Sequence, residues 1–261
     1  MQPKDTKALM ENENDNDSSG SSVEDETESS GNLNVELVRE KYKIFRNHCH
    51  QLYDFLFTHT LEWPSYTIEW LPERRDRKRK YHSLQNMILG TCTNGKSPNH
   101  LIIAEVRLPL EDWDPHKTNR AYSHNNNKVV IDVISNKFRI VKVIKHDGDI
   151  NIARYMPQKP SIVATKTDRE EVYIFDCKKR PSRAHGRPEL RLLGHQTDGY
   201  GLSWNKFKSG HLLSVAYDST IYVWDINANP KNNTLDALRV FKVSNLCFTF
   251  VQKKFFDLIL S

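Results

Sequence analysis

Gly194-His195-Gln196-Thr197-Asp198-Gly199-Tyr200-Gly201-Leu202-Ser203-Trp204 opens a unit that closes on Ile221-Tyr222-Val223-Trp224-Asp225, and the unit recurs upstream. Sliding the sequence back by 49 positions lays His195 on His146, Asp198 on Asp149, Trp204 on Tyr155, Ser214 on Thr165, Tyr222 on Tyr173 and Trp224-Asp225 on Phe175-Asp176, with no gap. A repeat of that length, with a Gly-His start, a Trp-Asp end and short β-prone runs between them, predicts one β-propeller blade per repeat.

Working outward, the second blade runs from about His146 to Asp176 and the third from Gly194 to about Phe241. Leu84 to Cys92, Leu101 to Leu108, Val129 to Ile134 and Phe138 to Ile144 read as four strands of a first, irregular blade, with Asn125-Asn126-Asn127 in a long connection. The blades therefore fall at about 84–146, 147–193 and 194–243. The basic stretch Lys178 to Pro188 reads as a solvated loop between blades. After Lys242 the pattern fails: residues 244–261 contain neither a Gly-His nor a Trp-Asp, and Leu246 to Leu260 is rich in Phe, Leu and Lys.

Before the first blade, Tyr66, Ile68 and Trp70 alternate with polar residues between Pro64 and Pro72, as in a strand bounded by prolines. Arg74, Arg75, Arg77, Lys78, Arg79 and Lys80 form the densest charge run, which reads as a solvated loop or a nuclear-import signal. No aromatic residue interleaves these charges, which argues against a base-stacking nucleic-acid surface. Further upstream, Val35, Val38, Tyr42, Phe45, Cys49 and Leu52 recur at steps of three and four. That spacing predicts an amphipathic helix capped by Asn34, within a helical region at 33–60. His48, Cys49 and His50 point in different directions on a helix and build no metal centre.

Residues 1–32 are mostly Asn, Asp, Glu and Ser, and predict a disordered acidic tail. Residues 1–30 hold nine acids against Lys4 and Lys7, so they carry −7 and the rest carries +12 of a net +5. Cys49, Cys92, Cys177 and Cys247 follow neither a disulfide nor a zinc spacing, which fits a reducing compartment. No run approaches the roughly 18 apolar residues of a membrane span. There is no Gly-rich phosphate loop, H-E-x-x-H pair or nucleophile elbow, so a binding module is expected, with no enzyme activity, cofactor or metal.

The chain resembles a known family in an ordered series of motifs. They are Leu52-Tyr53-Asp54, Thr58-His59, Leu61-Glu62-Trp63-Pro64-Ser65, Trp70-Leu71-Pro72, Leu89-Gly90-Thr91, Asn99-His100-Leu101, Ala153 to Gln158, Ala164 to Thr167 and Gly194 to Asn205. Together, over about residues 36 to 242, they look like the retinoblastoma-binding histone chaperones, the WD40 family that supplies the small subunit of chromatin assembly factor.

The resemblance implies an all-β WD40 propeller over residues 61–243, preceded by a helix. It also implies a blade network of His195, Ser214, Asp218 and Trp224, with Ala216 standing where the family often has a second hydroxyl. The competing reading takes His195, Ser214 and Asp218 as the three side-chain types of a hydrolase triad. The family's acidic face, which takes the histone H3 tail, maps onto Asp149, Asn151, Asp198 and Tyr200, with Asp in place of the usual Glu and Ile152 in place of Arg. A helix of histone H4 is gripped on the side in that family; Leu52 and Phe55 match half of that groove, Gln51 replaces an aromatic, and the partnering loop has no counterpart here. The expected role is a nuclear histone-binding subunit of chromatin assembly, remodelling, deacetylase or Polycomb-type complexes, acting in transcriptional repression, without sequence-specific nucleic-acid or membrane binding. The alternative is a substrate receptor of a cullin ubiquitin ligase, whose Trp-Asp-x-Arg signature reads Trp224-Asp225-Ile226-Asn227 here. The family has seven blades, so the chain is expected to be C-terminally shortened, with the Tyr66-Ile68-Trp70 strand left over from the closing blade.

Overall fold

A computed structural model describes residues 23–49, 52–53, 55–77, 82–110, 130–132, 137–179, 183–184 and 186–243. In chain order the elements are helix α1 (Val23–His48), then β1 (Phe55–Phe57), β2 (Ser65–Arg77), β3 (His82–Thr91), β4 (Asn99–Pro109), β5 (Val130–Asp132), β6 (Phe138–His146), β7 (Ile150–Met156) and β8 (Lys159–Thr167). They continue with β9 (Val172–Asp176), β10 (Arg183–Ala184), β11 (Leu190–Leu192), β12 (Gly201–Trp204), β13 (His211–Val215), β14 (Thr220–Asp225), β15 (Thr234–Leu235) and β16 (Arg239–Lys242). Two compact units result: Met1–Asp54 with Asn127–Val129, and the remainder.

In the first unit, α1 starts at Val23 and not at Asn34, so the acidic stretch expected to be disordered is helical from residue 23. Residues 1–22 lie outside the described residues. Near the other end, Phe45 stacks edge-on against Tyr53 (centroids 6.3 Å apart), and His48 Nδ1 lies 2.8 Å from the Ile44 carbonyl.

The second unit is mostly β and forms a partial propeller. Its three blades are built on antiparallel strands that follow chain order, β2-β3-β4-β6, β7-β8-β9-β11 and β12-β13-β14-β16. The 49-residue repeat reappears as register: Val163 faces Phe175 and Thr165 faces Tyr173 in the second blade, as Leu212 faces Trp224 and Ser214 faces Tyr222 in the third.

The first blade departs from expectation. The Val129 to Ile134 run is not one of its strands, because β5 pairs in parallel with β1 in a separate two-stranded sheet. The fourth strand is β2, which pairs with β3 and so begins the first blade; it is not a leftover from a closing blade. Nor does Pro72 stop it: the register breaks between Trp70 and Arg74, a bulge that absorbs a residue with no N–H to offer, and pairing resumes through Arg77. Arg74 to Arg77 are therefore in a strand and not in a loop. All are exposed; Arg74 pairs with Asp76 at 3.0 Å and Arg75 with Glu105. Lys78, Arg79 and Lys80 lie outside the described residues.

The stretch after β9, expected to be wholly solvated, instead lends β10 to the outer edge of the first blade, in parallel with β6. β15 does the same for the second blade beside β11. Each covers a row of backbone groups that an edge strand would otherwise leave open.

Side chains of facing sheets fill two cores. Ile88, Leu101 and Ile144 of the first blade meet Ile150, Val163 and Phe175 of the second. Ile152, Ala164 and Ile174 of the second meet Leu202, Leu212 and Trp224 of the third. A Cβ on Gly90 would stand 2.4 Å from Ile150 Cγ2, so only glycine lets the first two blades approach this closely. Trp204 Nε1 donates to the Arg154 carbonyl (2.9 Å) across the second interface.

Candidate functional site

The polar side chains singled out in the third blade form one connected chain. Trp224 Nε1 donates to Ser214 Oγ at 2.9 Å, Ser214 Oγ lies 2.7 Å from His195 Nε2, and His195 Nδ1 lies 3.1 Å from both Asp218 Oδ2 and Thr220 Oγ1. Burial and the nearby Lys166 ammonium push the His195 imidazole down to about 4, so it is neutral near pH 7. A neutral ring with its proton on Nδ1 satisfies the whole chain, since Ser214 can then donate to Nε2 while accepting from the indole. Thr220, not a hydroxyl at position 216, supplies the second hydroxyl.

Ser214 is fully buried and His195 is 4% exposed. Their setting is that of an internal strut and not of a nucleophile facing substrate. Burial pushes the Asp218 carboxyl up, but the Thr220 hydroxyl, the Gln196 amide and His195 outweigh it and hold it below the ordinary range. In the second blade the network is shorter: His146 Nε2 lies 2.8 Å from Thr165 Oγ1, and Phe175 takes the place of the indole. Burial pushes His146 down to about 4.

The four residues expected to line an acidic face separate into two pairs. Asp149 is 6% exposed, and its carboxylate accepts from Thr93 N (2.7 Å) and Asn94 N (3.1 Å) after β3 and from Asn99 Nδ2 (2.7 Å) at the start of β4, all in the preceding blade. Burial raises its carboxyl, yet these donors dominate and keep it low. Asn151, 4% exposed, spends its amide on the Thr167 carbonyl at 3.1 Å and on the Gly199 carbonyl at 3.4 Å. Both clasp one blade to the next, which corrects their reading as rim groups free to meet a peptide.

Asp198 and Tyr200 remain at the surface. Asp198 is partly exposed, and among the described residues nothing donates a hydrogen bond to its carboxylate, although its carbonyl accepts from Tyr217 N at 2.9 Å. Tyr200 is 43% exposed, and its ring meets that of Tyr217 with centroids 6.3 Å apart and planes at 72°. Gly199 permits this: a Cβ there would lie 2.6 Å from the Ala216 Cα and from the Val215 carbonyl. Tyr66 lies close enough to Cys92, Asp149 and Tyr200 to feel their fields, which puts a third tyrosine at the same end of the blades. Sequence reading missed Tyr217 and saw in Tyr66 only a strand residue, because only the fold brings the two near Tyr200.

Under this surface lies Lys166, which is fully buried and whose ammonium has no hydrogen-bond partner among the described residues. Burial pushes it down to about 8, against the pull of Asp218 and Asp198. Elsewhere, a largely apolar cavity of about 370 Å³ lies between residues 59–65 and the outer face of the first blade, lined by His59, Leu61, Trp63, His100 and Ile140 among others. Of the remaining site residues, Leu52 is exposed in the first unit, and Phe55 contributes backbone to β1. Among the described residues no cluster of His, Cys, Asp and Glu is placed to hold a metal ion.

Comparison with known proteins finds similarity over parts of the chain. The solved WD40 domain of Toxoplasma gondii coronin is similar at 14% identity with a TM-score of 0.40, over 67% of this chain; the chain spans 40% of that protein's length. Residues 40–110, from the middle of α1 through β4, match the family described as histone-binding protein RBBP4 or the C subunit of the CAF1 complex. Over residues 40–110, which run into the first of the three blades, the chain is therefore similar to the RBBP4 and CAF1 histone-binding family.

Proposed function

We propose that this protein is a histone-binding WD40 scaffold, and that it recognises basic histone segments without chemical turnover. The observation that carries the reading is the match of residues 40–110 to a family of histone-binding proteins. The chemistry of one end of the blades supports it: an under-bonded carboxylate at Asp198 beside the exposed ring of Tyr200 suits Lys or Arg side chains. In this reading the H3 tail docks there and a helix of H4 docks near Leu52 and Phe55. The protein then serves in the nucleus as a subunit of chromatin assembly, remodelling, deacetylase or Polycomb-type complexes. The Arg74 to Lys80 run, exposed where it is described, is the proposed import signal.

The test is titration calorimetry of the full chain with an H3 tail peptide and with an H4 helix peptide. Asp198→Ala should weaken the H3 peptide by about 1–3 kcal/mol, the range for losing a charge-assisted hydrogen bond. Absence of heat with both peptides and with the intact H3–H4 pair would overturn the proposal.

A further inference from the structure

The two ends of the blades carry opposite charge. Asp147, Asp168 and Asp198 stand in the turns that lead into β7, β9 and β12. Basic side chains gather where strands end: Lys178 and Lys179 follow β9, and Lys206 and Lys208 lie between β12 and β13, all exposed. The first blade adds arginines. Arg75 pairs with Leu84, which pairs with Arg107, and Glu105, two residues from Arg107, pairs with Arg139. Alternate residues share a face, so Arg75, Arg77, Arg107 and Arg139 lie on the face that meets the second blade through Ile88 and Ile103. Lys142, opposite Ile103, donates to the Cys177 carbonyl and so sets Lys178 and Lys179 beside that face. Gln158 Nε2 donates to the Asn205 and Lys206 carbonyls (2.9 Å each), which joins the second and third blades at the same end.

Most acids at this end are engaged. Glu105, 7% exposed, accepts from Arg75 and from Arg139 (2.8 Å). Asp176, 3% exposed, accepts from Lys178 N (3.0 Å), with the Lys159 ammonium 3.5 Å away. Glu69 and Glu189 accept from the Tyr155 and Asp176 amides (2.9 and 2.8 Å), and Asp225 accepts from the Asn227 amide (3.0 Å). Asp76, on the opposite face of β2, pairs with Arg74 (3.0 Å). Exposed Glu73 is then set against Arg77, Arg107, Lys178, Lys206 and Lys208, none of which has an acidic partner among the described residues. Such a surface releases the counterions condensed on a polyanion, which favours binding. Facing sheets lie about 10 Å apart, so three blade ends span about 20 Å, over which a DNA duplex presents about twelve phosphates at about one per 1.7 Å of axis. Phe207, 89% exposed, is a single ring in these turns, whereas single-stranded nucleic acid is held by successive rings. We infer that this end of the blades holds the phosphate backbone of duplex DNA without reading its sequence. The inference is independent of the basic-peptide face, which lies at the other end.

The experiment is fluorescence anisotropy with the full chain and two labelled duplexes of unrelated sequence, each of about 20 bp, over about 50 to 200 mM salt. Both duplexes should bind equally, and the logarithm of affinity should fall against the logarithm of salt with a slope of about −4, as for four or five phosphate contacts. Arg107→Gln, Lys206→Gln and Lys208→Gln should each weaken both duplexes alike and flatten the slope by about 1, whereas Asp198→Ala should do neither. Neutralising Lys78, Arg79 and Lys80 together should keep most of the slope. Circular dichroism melts identify any variant that fails to fold, and the slope of the parent chain with the remaining variants decides in that case. Four results would each overturn the inference. They are a slope shallower than about −2, slopes unchanged in all three glutamine variants, loss of all binding on neutralising Lys78 to Lys80, and tighter binding of the single strand or of a poly-glutamate peptide than of the duplex.

Discussion

Asp149→Ala tests the separation of Asp149 from Asp198 most directly. In the folded chain one carboxylate satisfies two backbone N–H groups, of Thr93 and Asn94, and the Asn99 amide, at 2.7–3.1 Å for the nearest approach of each. Removing it strands three donors, of which those of Thr93 and Asn99 are on buried residues and that of Asn94 is on an exposed one. A stranded buried donor costs about 1–3 kcal/mol, and water can reach the Asn94 amide, so the loss of folding stability should be about 3 kcal/mol and within roughly 2–5 kcal/mol. Asp198→Ala strands no donor among the described residues, so it should change stability by less than about 0.5 kcal/mol. Urea unfolding followed by tryptophan fluorescence reads both variants against the parent chain on one axis. A loss below about 0.5 kcal/mol in Asp149→Ala would refute the clasp and return Asp149 to the surface face.

Three further outcomes are expected. Ser214→Ala leaves the Trp224 indole N–H and His195 without their shared partner in a buried site, and should cost about 2–3 kcal/mol in urea unfolding; a neutral substitution would show that the network contributes nothing. Stability should also fall as pH drops from about 6.5 to about 4, because His146 and His195 stay neutral when folded, with values of about 4, yet take up protons when unfolded; the sum is bounded by about 3 kcal/mol per histidine. Urea midpoints that do not move between about pH 7 and about pH 4.5 would contradict the buried, neutral state of both rings. Neutralising Arg77, Lys78, Arg79 and Lys80 should reduce nuclear accumulation of a tagged chain, and unchanged nuclear fluorescence would assign the run to solvation alone.

What the sequence determined by itself is the repeat and the pairing inside it. A gapless 49-residue offset sets equivalent residues in equivalent antiparallel hairpins, so Thr165 opposite Tyr173 and Ser214 opposite Tyr222 follow from short-range order. His195, Ser214, Asp218 and Trp224 were legible for the same reason, since all four lie within one blade. Tertiary structure decided what depends on neighbours distant in the chain. β2 completes the first blade in place of β5 because a long strand can pair along β3 across a bulge at Pro72, whereas three residues from Val130 pair only with β1. β10 and β15 were invisible as strands because two residues carry no periodicity, and each forms only where another blade offers an open edge. The same limit governs the site. Asp149 and Asp198 are equivalent in the repeat, yet one meets Thr93 and Asn99 of an adjacent blade and is consumed by them, while the other stands beside Tyr200 with its carboxylate free of hydrogen bonds among the described residues. A repeat fixes what lies within a blade; what faces a side chain across the gap between blades is set by packing.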